Sequence, residues 1–142
     1  MEDQFNLKRF IDAQFSTYER ALDEIKNGRK TSHWMWFIFP QYHGLGRSPT
    51  SIKYAINSKE EAISYLKHPI LSPRLIEITK EFLSIENKTA NSILGEPDDV
   101  KIQSSMTLFD AIQSENDLFD SILEKYFEGN RCRRTLSTLK NE

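Results

Sequence analysis

The chain has 142 residues, 38% hydrophobic and 28% charged, with a net charge of −2. That balance suits one globular domain over residues 1–142, able to bury a core without metal or disulfide staples. It excludes the basic footprint of a general nucleic-acid binder, and no apolar run approaches the ~20 residues that span a bilayer.

In chain order, the first predicted element is one helix over about Leu7 to Lys26. Phe10, Ile11, Phe15, Tyr18, Leu22 and Ile25 recur at three and four, with Asn6 as its cap and Gly28 as a left-handed stop. The run Trp34-Met35-Trp36-Phe37-Ile38-Phe39 follows, six large apolar residues, four of them aromatic. Each aromatic can remove about 150–250 Å² from water, so the run is expected at the centre of the core. On this reading Trp36→Ala costs roughly 3–5 kcal/mol. Pro40 ends the run, and polar residues flank it: His33 before, then Gln41, Tyr42, His43, Arg47 and Ser48. Gly44 to Pro49 reads as a loop, able to cradle an anion with Arg47 or simply to turn the chain; it has no P-loop spacing.

Ser58 to Glu61 forms a capping box, with Glu61 reaching back to the Ser58 amide, and opens a helix that His68-Pro69 closes. Ser72-Pro73 opens the next, whose stripe is Leu75, Ile78, Phe82 and Ile85. Arg74 stands near its positive end, where a carboxylate or an anionic ligand would explain a cation. A short helix over about Ala90 to Leu94 ends at Gly95. The stretch DDVKIQSSMTLFDAIQ comes next, with Ile102, Met106, Phe109 and Ile112 as its core stripe. Lys101, Ser104 and Ser105 lie on another face. Small hydroxyl residues are mediocre helix formers, so that face either packs closely against a neighbour or lines a ligand site. A helix over Ser114 to Phe127 and a short C-terminal one containing Leu136 and Leu139 complete an all-α, multihelical architecture.

SHWMWFIFPQ, the GLGRS loop, EAISYLKHP with PRL after it, and DDVKIQSSMTLF closely resemble the family designated domain of unknown function 1810. The resemblance runs from about residue 6 to 140. It implies a small, mostly bacterial, all-helical protein with two buried central helices, and it implies no reaction. Ser72 stands where that family often has glycine, and Cys132 where its pattern around Gly129 and Thr135 has aspartate. The order of a Glu-Ala helix, a later Lys-x-x-Ser-Ser-Met helix and a C-terminal helix is also similar in topology to the NAD- and ADP-ribose-associated NADAR superfamily. That likeness touches Glu61, Lys101 and Met106 and implies chemistry on N-glycosidic or ADP-ribose bonds.

These residues support an expected site for an anionic or nucleotide-derived small molecule. Trp36 and Tyr54 would stack a ring, and Arg47, Arg74 and Lys101 would hold anionic oxygens. Gln41, Ser48, Ser104 and Ser105 would orient polar groups, and His33 or Glu61 would move a proton if a reaction occurs. A binding module without catalysis, or a helical core whose polar residues satisfy one another, uses the same residues. As a structural partner, Lys101 would pair with Asp99 or Glu61. Cys132, the lone cysteine, is expected to be non-catalytic. No metal or other cofactor, nucleic acid or membrane partner is expected; the polar N-terminus has no signal-peptide pattern, so the expected location is cytoplasmic, and the oligomeric state is left open.

Overall fold

The computed structural model describes residues 3–142, and among them the chain forms ten helices and no strand beyond an isolated parallel bridge between Tyr42 and Ile56. In order these are α1 (Lys8–Phe15), α2 (Tyr18–Lys26), α3 (Met35–Ile38), α4 (Pro49–Lys53), α5 (Lys59–Lys67), α6 (Leu71–Ser84), α7 (Ala90–Leu94), α8 (Asp98–Ala111), α9 (Leu118–Phe127) and α10 (Arg133–Lys140). Two helices are central: α6 packs against α2, α5 and α9, and α8 packs against α5, α7, α9 and α10. No helix among the described residues is long and apolar enough to cross a membrane.

The long N-terminal helix is divided. Ser16 and Thr17 leave helical geometry between α1 and α2, and Phe15, placed on the apolar face by its spacing, is 87% exposed. Asn6 has a positive φ of 53° and does not cap α1; the Asp3 carboxylate does, accepting the Leu7 and Lys8 amides at 2.7 and 2.8 Å. The loop after Gly46 closes into α4, where Ser48 caps the Ser51 amide and Pro49 takes the first helical position. Elsewhere the boundaries shift: α6 starts at Leu71 and α9 at Leu118, later than Ser114.

α8 is the buried axis. Every side chain from Ser104 to Phe109 is shielded from water. Two of its three hydroxyls are spent locally: Ser104 donates to the Val100 carbonyl at 3.2 Å and Thr107 to the Gln103 carbonyl at 2.7 Å. Ser105 Oγ has no partner, but its small side chain, like that of Ser104, lets neighbouring helices approach α8 closely.

The aromatic run splits into two kinds of position. Trp34, Met35, Ile38 and Phe39 are buried, whereas Trp36 and Phe37 are half-buried. Burial of Trp36 at the core's centre is thus corrected: α3 is a single turn, Trp36 is only half-buried, and Phe37 packs at the core's edge. Trp34→Ala is expected to cost roughly 3–5 kcal/mol, as for a fully buried aromatic, and Trp36→Ala distinctly less. Urea midpoints of the two variants check the order; equal losses would contradict it.

Candidate functional site

The outward face of α3 forms one wall of a cleft of about 290 Å³. Trp36 and Phe37 supply that wall, His33 and Lys30 come from the loop before it, Ser48 and Thr50 from the start of α4, and Asp98 and Lys101 from the first turn of α8. The first turn of α8 is joined to the loop before α3 by charge. Asp98 accepts Lys30 Nζ at 2.8 Å and Lys101 Nζ at 3.0 Å, with side-chain exposures of 8% for Lys30, 15% for Asp98 and 19% for Lys101. Both ammonium groups also lie over indole rings, Lys101 at 4.2 Å from the Trp36 centroid and Lys30 at 5.1 Å from that of Trp34. Such contacts favour a desolvated cation.

Burial raises the Asp98 carboxyl, but hydrogen bonds and charge from Lys30 and Lys101 outweigh it and hold the pKa below the ordinary value. A depressed folded value means that the contribution to stability is full above the ordinary carboxylate range and is lost as pH falls through the folded value. Two cations sharing one carboxylate leave one positive charge in excess, and among the described residues no second acid pairs with either lysine.

The loop that carries Lys30 and His33 is held by Glu24 of α2. Its carboxylate accepts the Thr31 amide (2.7 Å), the Ser32 amide (3.1 Å), the Ser32 hydroxyl (2.6 Å) and the buried Trp34 Nε1 (2.9 Å). Burial alone would raise this carboxyl, yet the four donors bring it down to about 2. The Lys30 amide adds a bond to the Ile93 carbonyl at 2.7 Å, tying the loop to α7.

The remaining expected site residues lie in other surroundings. Gln41 and Tyr54 line a smaller cavity that shares Trp36 with the cleft. Arg47 is exposed on the loop before α4. Arg74 donates to Gln14 Oε1 at 3.3 Å and lies over the Tyr18 ring at 5.4 Å, so a side-chain amide and an aromatic face take the place of the expected carboxylate or ligand. Ser104 and Ser105 are buried in α8, and Ser105 Oγ has no partner. Glu61 is buried under Arg9 at 2.6 Å and accepts the Asn57 amide at 3.0 Å rather than that of Ser58. Lys101 pairs with Asp98, not with Asp99 or Glu61. Of the three residues behind the ADP-ribose likeness, Met106 is wholly buried and only Lys101 lines the cleft.

Lys30 and Asp98 escaped the sequence reading. Each has an ordinary local role, a loop lysine and an acid at a helix start, and only their long-range pairing sets them apart. Cys132 is the N-cap residue of α10, a position that favours aspartate, and its amide donates to Thr107 Oγ1 at 3.0 Å. Burial raises the thiol, but the Ser104 and Thr135 hydroxyls and the Thr135 and Arg134 amides bring it below its ordinary value. Among the described residues no group of histidine, cysteine and carboxylate side chains is arranged to hold a metal.

A family described as "Protein of unknown function (DUF1810)" matches residues 4–139. The crystal structure of the conserved hypothetical protein Rv1873 from Mycobacterium tuberculosis is similar to this chain, with 46% sequence identity and a TM-score of 0.96. The likeness covers 97% of this chain and 99% of that one. No curated protein matches the chain.

Proposed function

The chain belongs to the DUF1810 family of proteins of unknown function, and from the geometry of its cleft we propose that it binds an anionic small molecule there, with Lys30 and Lys101 as the cations and Trp36 as the ring wall. The observation that carries this reading is the unbalanced cluster: two largely buried ammonium groups converge on the single carboxylate of Asp98. Held for structure alone, a second buried cation adds a desolvation penalty without a second counter-ion. An anion in the cleft supplies that counter-ion, and a phosphate or similar oxyanion accepts charge-assisted hydrogen bonds from both lysines. Ser48 and Thr50 place hydroxyl-bearing residues along the same cleft, and the half-exposed Trp36 suits a ligand with a flat ring. Binding is the function assigned. Glu61 is committed to Arg9, which leaves His33 as the cleft's candidate proton carrier beside the paired Asp98.

The test is calorimetric titration with inorganic pyrophosphate and with AMP, comparing wild type and Lys101→Met. The variant is expected to bind at least tenfold more weakly and to melt close to wild type, because Asp98 keeps Lys30 as its partner. Affinity should fall with rising salt, as screening weakens charge pairing. Saturating ligand at a hundredfold its Kd should stabilise wild type by about 2.7 kcal/mol. Unchanged affinity in the variant, or marked destabilisation without loss of affinity, would make the cluster a structural clamp instead.

A further inference from the structure

The charge inside the cleft can be counted residue by residue. Lys30 Nζ stands 2.8 Å from Asp98 Oδ2 and Lys101 Nζ 3.0 Å from Oδ1, so each lysine is held on its own carboxylate oxygen. Among the described residues lining the cleft, Asp98 is the sole acid, and Lys30 and Lys101 are the sole lysines or arginines. Asp99, its chain neighbour, is engaged elsewhere: the Asn91 side-chain amide donates to it at 3.3 Å and the Val100 amide at 2.9 Å. Arg29 and Arg47 adjoin cleft residues in the sequence but are exposed, where salt and water screen their charge. Two ammonium groups against one carboxylate leave a single positive charge, in a set of side chains only 8–19% exposed.

A ligand with one negative charge cancels that excess. A second negative charge would enter without a counter-ion and give up hydration beside a carboxylate of its own sign. Repulsion between like charges needs no contact, because it acts across several ångströms wherever water is largely displaced. The carboxylate of Asp98 therefore disfavours a doubly charged ligand more than a singly charged one of the same shape.

We propose that Asp98 sets the charge class of the ligand: the cleft takes a singly charged oxyanion, such as a sulfate ester, a phosphodiester or a carboxylate, in preference to the dianion of a phosphate monoester. This assignment rests on the anion-binding reading of the cleft and adds a selectivity to it. AMP and pyrophosphate remain ligands by the sign of their charge, but each brings more of it than the lysines balance.

The experiment compares adenosine 5′-sulfate with AMP, alike in shape and carrying one and two negative charges. Both are titrated calorimetrically at pH 8, above the usual ranges of histidine and of the second phosphate ionisation, at about 6. In wild type the sulfate is expected to bind at least fivefold more tightly than AMP. Asp98→Asn keeps the shape and one acceptor oxygen but leaves two positive charges in excess, and should reverse the order. Combining it with Lys101→Met returns the excess to one and should restore the advantage of the sulfate. The wild-type comparison decides the matter if Asp98→Asn does not fold. Equal or tighter binding of AMP in wild type, or binding of pyrophosphate alone, would overturn the charge class and leave the anion cleft standing. An unreversed order in folded Asp98→Asn would overturn the part given to Asp98. No binding of either adenosine compound or of pyrophosphate would remove the cleft reading itself, and this assignment with it.

Discussion

Replacing Glu24 with alanine is expected to destabilise the protein by about 3–5 kcal/mol, among the largest effects of any single substitution here. The carboxylate organises four donors, and one of them, Trp34 Nε1, belongs to a side chain that is 1% exposed. Removing the acceptor leaves that indole N–H buried without a partner, and the Thr31 and Ser32 amides lose theirs together. Glu24→Gln keeps one acceptor oxygen and should cost less. The pH dependence separates this from a simple packing loss. With a folded value of about 2, below the ordinary carboxylate range, the contribution is full above that range and is lost as pH falls towards 2. Urea denaturation at pH 7 and at pH 3 should therefore show a smaller gap between wild type and Glu24→Gln at the lower pH. A constant gap would mean that charge at this position is irrelevant. Because the same loop carries Lys30 and His33, Glu24→Ala should also lose pyrophosphate binding.

The second large effect lies at Arg9 and Glu61, whose side chains are 9% and 4% exposed. Arg9 uses its whole guanidinium: Nε donates to the Lys53 carbonyl, Nη1 to those of Phe5 and Asn6, and Nη2 to the Ala55 carbonyl and to Glu61. One side chain thus fastens α1 to the segment after α4 and to the start of α5. Glu61→Ala removes the only formal negative charge in that set and should cost about 3–5 kcal/mol, because an uncompensated cation stays buried. A double-mutant cycle with Arg9→Met is the check. The paired replacement should lose clearly less than the sum of the single ones, and additivity within about 0.5 kcal/mol would show that the two groups do not act as a pair.

Much of the fold is legible in the sequence because its signals are local. Serine at a cap, with glutamate three residues on, defines α5 at Ser58, and Gly95 ends α7 with a positive φ of 78°. The division at Ser16 and Thr17 is not marked in this way. The apolar period runs straight through it, no glycine or proline interrupts, and only packing turns Phe15 outward. α4 did leave a signal, Ser48 followed by Pro49, but the glycines before it carry the stronger loop signature. For the candidate site, the aromatic run supplies one wall of the cleft, yet a six-residue apolar string cannot say which members of a one-turn helix face out. The hydroxyls of α8 show the reverse problem. Their composition fits a ligand wall and a tight helix contact equally, and the neighbouring helices that bury them are distant in the sequence.

Trp36 lines both cavities, and one edge of its indole packs against the loop at Gly46. A β-carbon at Gly46 would come within 3.0 Å of the indole and 2.5 Å of the Ser51 side chain, so loop, helix and ring are already in close contact. A ring confined in this way acts as a partition between two compartments. Anything that tilts it from the side of Lys101 alters the cavity lined by Gln41 and Tyr54, and the converse follows by the same geometry. Equilibrium thermodynamics then sets the rule for any pair of occupants: whatever factor one imposes on the affinity of the other is returned unchanged in the opposite direction.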